Sequence, residues 1–185
     1  MEVIKIPYEE TNHFSKLVLD YLANDPKLKS FINDFPSLDS FSTQITQKSF
    51  QNIDRIALHK VLKNQNLNPS KETLKNIDAI KDENTFSITT GHQLCLFTGP
   101  LYLIYKIAST INLVETLKVK FPENNFIPIF WLASEDHDFE EVSSINLFNK
   151  KIKWSTKQKG AVGKIKTTDV NVLIDQIKEI LGESE

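Results

Sequence analysis

The spacing of apolar residues changes character near Asn84. Before that point it is helical. Phe14, Leu17, Val18, Tyr21 and Leu22 recur at steps of three and four behind the candidate caps Asn12 and Ser15, which predicts a helix stopped by Asn24-Asp25-Pro26. Ile45, Ile53, Ile56, Leu58 and Leu62 predict one longer helix over 41–63 with these residues buried. After a turn at 64–69, Ser70 opens a short helix carrying Leu74, Ile77 and Ile80. Val3 to Ile6 suits a short strand ended by Pro7, and Phe31, Phe35 and Phe41 suit an irregular connection pinned by aromatic rings.

Beyond Asn84, residues 85–90 are rich in β-branched and aromatic residues, as a strand should be. A loop from Gly91 to Gly99 leads to Pro100, which suits the first position of a helix. Leu101, Ile104, Ala108, Ile111, Val114 and Leu117 predict a helix of about five turns laid on a sheet. The nearly continuous apolar run 126–133 suits a strand buried on both faces, hence a parallel sheet. Strand, helix and strand within this span form a right-handed βαβ unit. Residues 142–148 and 151–155 pair as a hairpin around Asn149-Lys150, and a last helix capped by Thr168 or Asp169 carries Val172, Ile174, Ile177, Ile180 and Leu181 up to Gly182. The expected organisation is a mainly helical segment over 1–82 and the first part of an α/β core with a parallel sheet over 83–185. No further parallel strand follows Ala133, so the chain reads as the front part of a larger enzyme.

Composition narrows the function. The net charge is -2 and Arg55 is the only arginine, which disfavours a nucleic-acid partner. The single cysteine, Cys95, excludes an internal disulfide and suits a reducing cytoplasm; beside Leu96 and Phe97 it reads as a small buried residue. No run reaches the roughly 18 apolar residues that span a bilayer, so no membrane partner is expected. The seven lysines over 150–166 read as the solvated face of the hairpin, and Lys106, two turns into the long helix, as a solvated lysine.

The candidate chemistry sits in two loops that follow the two strands. Polar loops at the carboxyl ends of adjacent parallel strands are where open α/β sheets bind ligands. In the first, Gly91 and Gly99 permit close backbone approach to an anion, Thr98 suits an oxygen ligand or a helix cap, Gln93 reads polar groups, and His92 suits phosphate donation or acid–base work. The loop lacks both the Walker ending and the G-x-G-x-x-G fingerprint. The second, 134–141, holds five carboxylates and His137. Crowded carboxylates need a cation beside them, so Glu135, Asp136, His137 and Asp138 suit an amine or a divalent metal, although the ligand set selects no particular ion. A helix starting near Asp136 would put His137 and Glu141 on one face.

These loops resemble the bacillithiol-synthesis cysteine ligase family (BshC). The resemblance rests on Thr90-Gly91-His92-Gln93, on 97–102 with Tyr105-Lys106, and on 130–141, and extends to Ile4-Lys5-Ile6-Pro7-Tyr8. It covers most of this chain and about the first third of the family's length. It implies a Rossmann-like core related in shape to nucleotidylyltransferases, and ligation of cysteine to the amino group of glucosaminyl-malate. Relatives in fold carry H-x-G-H after the first strand, whereas this chain carries Gly91-His92-Gln93-Leu94. The expected site has His92, Asp136, His137 and Asp138 as catalytic residues, and Gly91, Gln93, Thr98, Gly99 and Glu135 as substrate- and anion-binding ones. ATP with Mg²⁺ is the expected activator, a cytoplasmic homodimer with a coiled coil the expected full-length protein, and this piece alone is expected to be inactive. Two alternatives stand beside it: a nucleotidylyltransferase acting on another small acid, and a non-catalytic ligand-binding or assembly module.

Overall fold

Short helices fill the first part of the chain in the computed structural model, which describes residues 4–97 and 99–182. The chain divides into two compact units, Met1–Asp54 and Arg55–Glu185. In the first unit, helix α1 (Lys16–Leu22) is capped by Ser15, whose hydroxyl accepts from the Val18 amide. Asp25 caps a 3-10 turn over Pro26–Leu28, and helix α2 spans Ser40–Ser49. Tyr21 and Phe35 approach with ring centroids 6.3 Å apart, while Phe31 is largely exposed. Residues 4–7 form no strand, because no second strand lies among the described residues of this unit to pair with them; Val3 lies outside the described residues.

The single helix expected over 41–63 is two. Helix α2 ends at Ser49 and α3 begins at Arg55 (Arg55–Gln65), with a break across 50–54 where the two units divide. The apolar spacing lapses between Ile45 and Ile53, and Asn52 and Asp54 offer the backbone local alternatives to helix. Ile53, Ile56 and Leu58 are consequently exposed, and the inward positions of α3 are Arg55, His59 and Leu62. Helix α4 (Lys71–Ala79) starts as expected behind Ser70, which accepts from the Thr73 amide. Arg55 ties these elements together. Its guanidinium donates to the carbonyls of Ile80, Glu83 and Thr85 at 3.0–3.2 Å, closing the end of α4 onto the next strand.

Strands β1 (Thr85–His92) and β2 (Asn125–Leu132) pair in parallel, with Thr85 opposite Asn125 and His92 opposite Leu132. Helix α5 (Leu101–Lys120) connects them and packs on both. The core between them holds Val114, Leu117, Phe126 and Ile127. Two expectations need correction here. Helix α5 carries apolar residues on more than one face, so stepping by three and four does not select the buried one; a two-stranded sheet covers one stripe only. That stripe is Leu103, Thr110, Leu113, Val114 and Leu117, while Leu101, Ile104 and Ile111 face outward. Strand β2 is buried through Phe126 and Ile127 but not at Phe130, Trp131 and Leu132, where no strand covers its free edge among the described residues.

Helix α6 (Phe139–Val142) leads into strands β3 (Ser144–Leu147) and β4 (Lys150–Lys153), an antiparallel hairpin whose two turn residues, Phe148 and Asn149, both have positive φ. Helix α7 (Asn171–Leu181) lays Leu173 against Ile152 and Trp154, which form a second small core with Phe139. No helix among the described residues is long and apolar enough to cross a membrane.

Candidate functional site

Both loops leave the same end of the parallel pair, as parallel strands joined by one helix dictate. Backbone bonds then stitch them together. The Ala133 amide donates to the His92 carbonyl at 3.1 Å, and the Leu96 amide to the Val142 carbonyl at 3.2 Å. The second loop is also braced from the far side, where Val162 and Gly163 amides donate to the carbonyls of Asp136 and Ser134 at 2.7 and 2.9 Å. Gly91 lies so close to its partner on β2 that a Cβ would stand 2.7 Å from the Trp131 carbonyl oxygen. Gly99 sits at φ +62, and an added Cβ would collide with the Cys95 sulfur.

Between the loops lies a cleft of about 450 Å³. Gly91, His92, Gln93 and Asp136 line it, with Lys106, Glu141, Trp131 and the threonines 89 and 90. Gly99, Glu135, His137 and Asp138 lie outside this lining, and Thr98 lies outside the described residues. Glu135 accepts from the Trp131 indole N–H at 3.4 Å. Asp138 caps α6 by accepting from the Glu141 amide at 3.2 Å, so the helix begins at Phe139, after its cap, three residues later than the expected start at Asp136. His137 is exposed, and its ring makes no hydrogen bond among the described residues. Asp136 turns the loop: its Oδ1 accepts from the amides of His137 and Asp138 at 2.7 and 3.3 Å, leaving Oδ2 without a hydrogen bond among the described residues.

A hydrogen-bonded chain forms the inner wall. His92 is only 7% exposed; its Nδ1 lies 2.9 Å from the Gln93 carbonyl oxygen and its Nε2 2.8 Å from Tyr102 Oη. Tyr102 in turn donates a short bond to Glu141 Oε1, and Gln93 Nε2 donates to Glu141 Oε2 at 2.6 Å. These two donors hold the Glu141 carboxyl below the usual carboxylate range. Its charge, through the same bond, pushes the Tyr102 phenol up to about 12. Because an ionised carboxylate only accepts, the Gln93 amide is oriented, and its buried Oε1 is left without a partner among the described residues. Burial, and then the Glu141 charge, push the Cys95 thiol up, which keeps it neutral and unreactive.

Lys106 is exposed, as expected of a solvated lysine, and also reaches the first loop. It reaches back over the Tyr102 ring, 5.2 Å from the centroid, to the Gly91 carbonyl at 3.3 Å, and so supplies a cation to the cleft. Tyr102 is the residue to which the sequence reading gave no role. Its four-residue separation from Lys106 is the signal that places both on one polar edge of α5. Among the described residues no group of three or more His, Cys, Asp or Glu side chains is arranged to hold a metal ion.

The family model for the bacillithiol biosynthesis BshC N-terminal Rossmann-like domain matches residues 1–185. The chain belongs to the BshC family. A relative from Flavobacterium psychrophilum, named "Putative cysteine ligase BshC", is 50% identical over 184 residues, 97% of this chain and 35% of the relative. Relatives of the same name from Flavobacterium johnsoniae and Koribacter versatilis are 47% and 30% identical, each over 97% of this chain and 35% of their own length. The chain thus spans about a third of the length of the curated relatives it matches. The Rossmann-like α/β class expected from the sequence is the class of this family domain, and the parallel β1–β2 pair carries it.

Proposed function

We propose that this chain is the amino-terminal part of a ligase that joins cysteine to the amino group of glucosaminyl-malate in bacillithiol synthesis, with the cleft between the two loops as its ligation site. The observation that carries this reading is the meeting of both loops on one polar cleft, in a chain of this family. Its volume of about 450 Å³ falls within the range of small-molecule sites. One wall offers a cation, Lys106, and the opposite loop offers an unsatisfied carboxylate oxygen, Asp136 Oδ2. That polarity suits a substrate pair carrying both carboxylates and an amine.

A carboxylate does not form an amide until one oxygen becomes a good leaving group. ATP would supply that by phosphorylating or adenylating the cysteine carboxylate, with ADP or pyrophosphate leaving. Mg²⁺ would come bound to the phosphates rather than to a protein cage. Lys106 and Gln93, with the backbone at Gly91 and the Thr98–Gly99 end of the loop, hold the anionic groups. His92 stands behind them. On the other side, Asp136 receives the amine, with His137 and Asp138 beside it and Glu135 fixing the Trp131 indole. The amine nitrogen attacks the activated carboxyl carbon, the C–N bond forms, the C–O bond to the activating group breaks, and the nitrogen's proton passes to Asp136. The whole protein is, in this reading, a cytoplasmic homodimer without nucleic-acid or membrane partners.

Supplying the full-length enzyme with cysteine, glucosaminyl-malate and ATP, and following the product by mass spectrometry, tests the assignment. The expected result is cysteinyl-glucosaminyl-malate, formed only when all three are present, while the 185-residue piece alone gives none. Pyrophosphate exchange driven by a different small acid would instead make it a nucleotidylyltransferase. Undiminished product from His137→Ala would remove His137 from the mechanism.

A further inference from the structure

Tyr102 Oη stands between His92 Nε2 and Glu141 Oε1, hydrogen-bonded to both. Two hydrogen bonds at one hydroxyl oxygen need two protons. The hydroxyl brings one, so the other belongs either to His92 Nε2 or to Glu141. On the far side of the imidazole, Nδ1 faces the Gln93 carbonyl oxygen at 2.9 Å, which can only accept. That nitrogen therefore carries a proton in either case. Glu141 accepts from two side chains, one on each oxygen, as an ionised carboxylate does. His92 Nε2 also lies 3.6 Å from Glu141 Oε1, within ion-pair distance.

We propose that Glu141 and Tyr102 are positioning residues that keep His92 doubly protonated, with its Nε2 proton on Tyr102 and the tyrosine's own proton on Glu141. The imidazolium is almost wholly enclosed, and its counter-charge is the carboxylate one hydroxyl away. The titratable groups around it are Tyr102 and Lys106 on α5, Glu141 on α6, Cys95 on the first loop, and Asp136 and Asp138 on the second. An imidazole with both nitrogens committed has no lone pair and cannot act as a base. It is instead a fixed positive charge at the carboxyl end of β1, aimed by protein groups rather than by water. Its catalytic consequence rests on the ligase reading: the charge steadies negative charge on the activated carboxyl group, and proton removal from the amine falls to the Asp136 side.

Long-range proton–nitrogen NMR spectra of the histidine rings in this chain, near neutral pH, test the proton count. The His92 signals are assigned by their loss in His92→Asn. The expected wild-type pattern has protons on both His92 nitrogens. Tyr102→Phe, which removes the acceptor, should lose the Nε2 proton while leaving Nδ1 protonated, and Glu141→Gln, which removes the counter-charge, should do the same. Thermal melts identify which variants remain folded, and either one suffices for the comparison. A wild-type ring with a single protonated nitrogen, or a ring unchanged in folded variants, would overturn the proposal. A doubly protonated ring in an enzyme that fails to ligate cysteine would uphold the proton assignment and remove only the ligase reading.

Discussion

Phe126→Ala is expected to destabilise the second unit by about 3–5 kcal/mol, the range for truncating a buried phenylalanine. Phe126 is 1% exposed and sits where β2 meets β1 and the end of α5, with its ring centroid 6.0 Å from that of Phe86 and 6.3 Å from that of Phe121. Val114 and Leu117, both buried, close the other side. A sheet of two strands has little redundancy, so the cavity has few neighbours able to collapse into it. At about 1.4 kcal/mol per decade, the unfolding equilibrium should move at least about a hundredfold. Both tryptophans, Trp131 and Trp154, lie in this unit, so denaturant unfolding followed by their fluorescence reads it selectively. Val119→Ala on the same α5 provides the comparison. Its side chain is 83% exposed, and the change should stay within about 0.5 kcal/mol. Equal midpoints for the two variants would show that the β1–α5–β2 core is not the stabilising element described.

Asp136→Asn should lower kcat of the full-length ligase by roughly 10²–10⁴, the usual worth of a positioned general base. Asparagine keeps the Oδ1 acceptor that receives the amides of His137 and Asp138, so the loop's turn survives. It loses the carboxylate that, in the proposed mechanism, takes the proton from the attacking amine. KM for glucosaminyl-malate should change much less than kcat, because the lost interaction belongs to the transition state. Glu140→Gln provides the contrast in the same acid cluster. Its carboxylate is spent on Lys153 at 2.8 Å and lies outside the cleft lining, so turnover should be unchanged. A wild-type rate in Asp136→Asn would assign the proton elsewhere.

How legible this was in the sequence depended on the kind of signal. The β1–α5–β2 unit was readable because β-branched runs and a long helix each obey a local rule; the hairpin was readable too, but its turn lies at Phe148-Asn149, one residue before the expected Asn149-Lys150. The meeting of the two loops followed from parallel topology alone. The break between α2 and α3 was obscured because Ile53 and Ile56 resume a helical spacing after the lapse, although Asn52 and Asp54 end the helix by local competition. The buried stripe of α5 was obscured for a different reason, since apolar residues lie on more than one face and the covering sheet, not the helix, chooses among them. Within the site, Gly91, His92, Gln93 and Asp136 sit in a strand end and a polar loop, where placement follows from the chain path. Tyr102, Lys106 and Glu141 enter through side-chain reach across elements that are 39 residues apart in the Tyr102–Glu141 case. No local pattern encodes that distance. Lys106 looked like any surface lysine until the helix was laid beside β1.

The central claim is that two loops, separated in sequence by α5, form one ligand site. A crystal structure of the full-length enzyme with glucosaminyl-malate, cysteine and a non-hydrolysable ATP analogue tests it most directly. The account predicts the sugar amine within hydrogen-bonding reach of Asp136, and an anionic group of the bound ligands against Lys106 and Gln93. Ligands bound in full elsewhere, with this cleft holding only solvent, would contradict it.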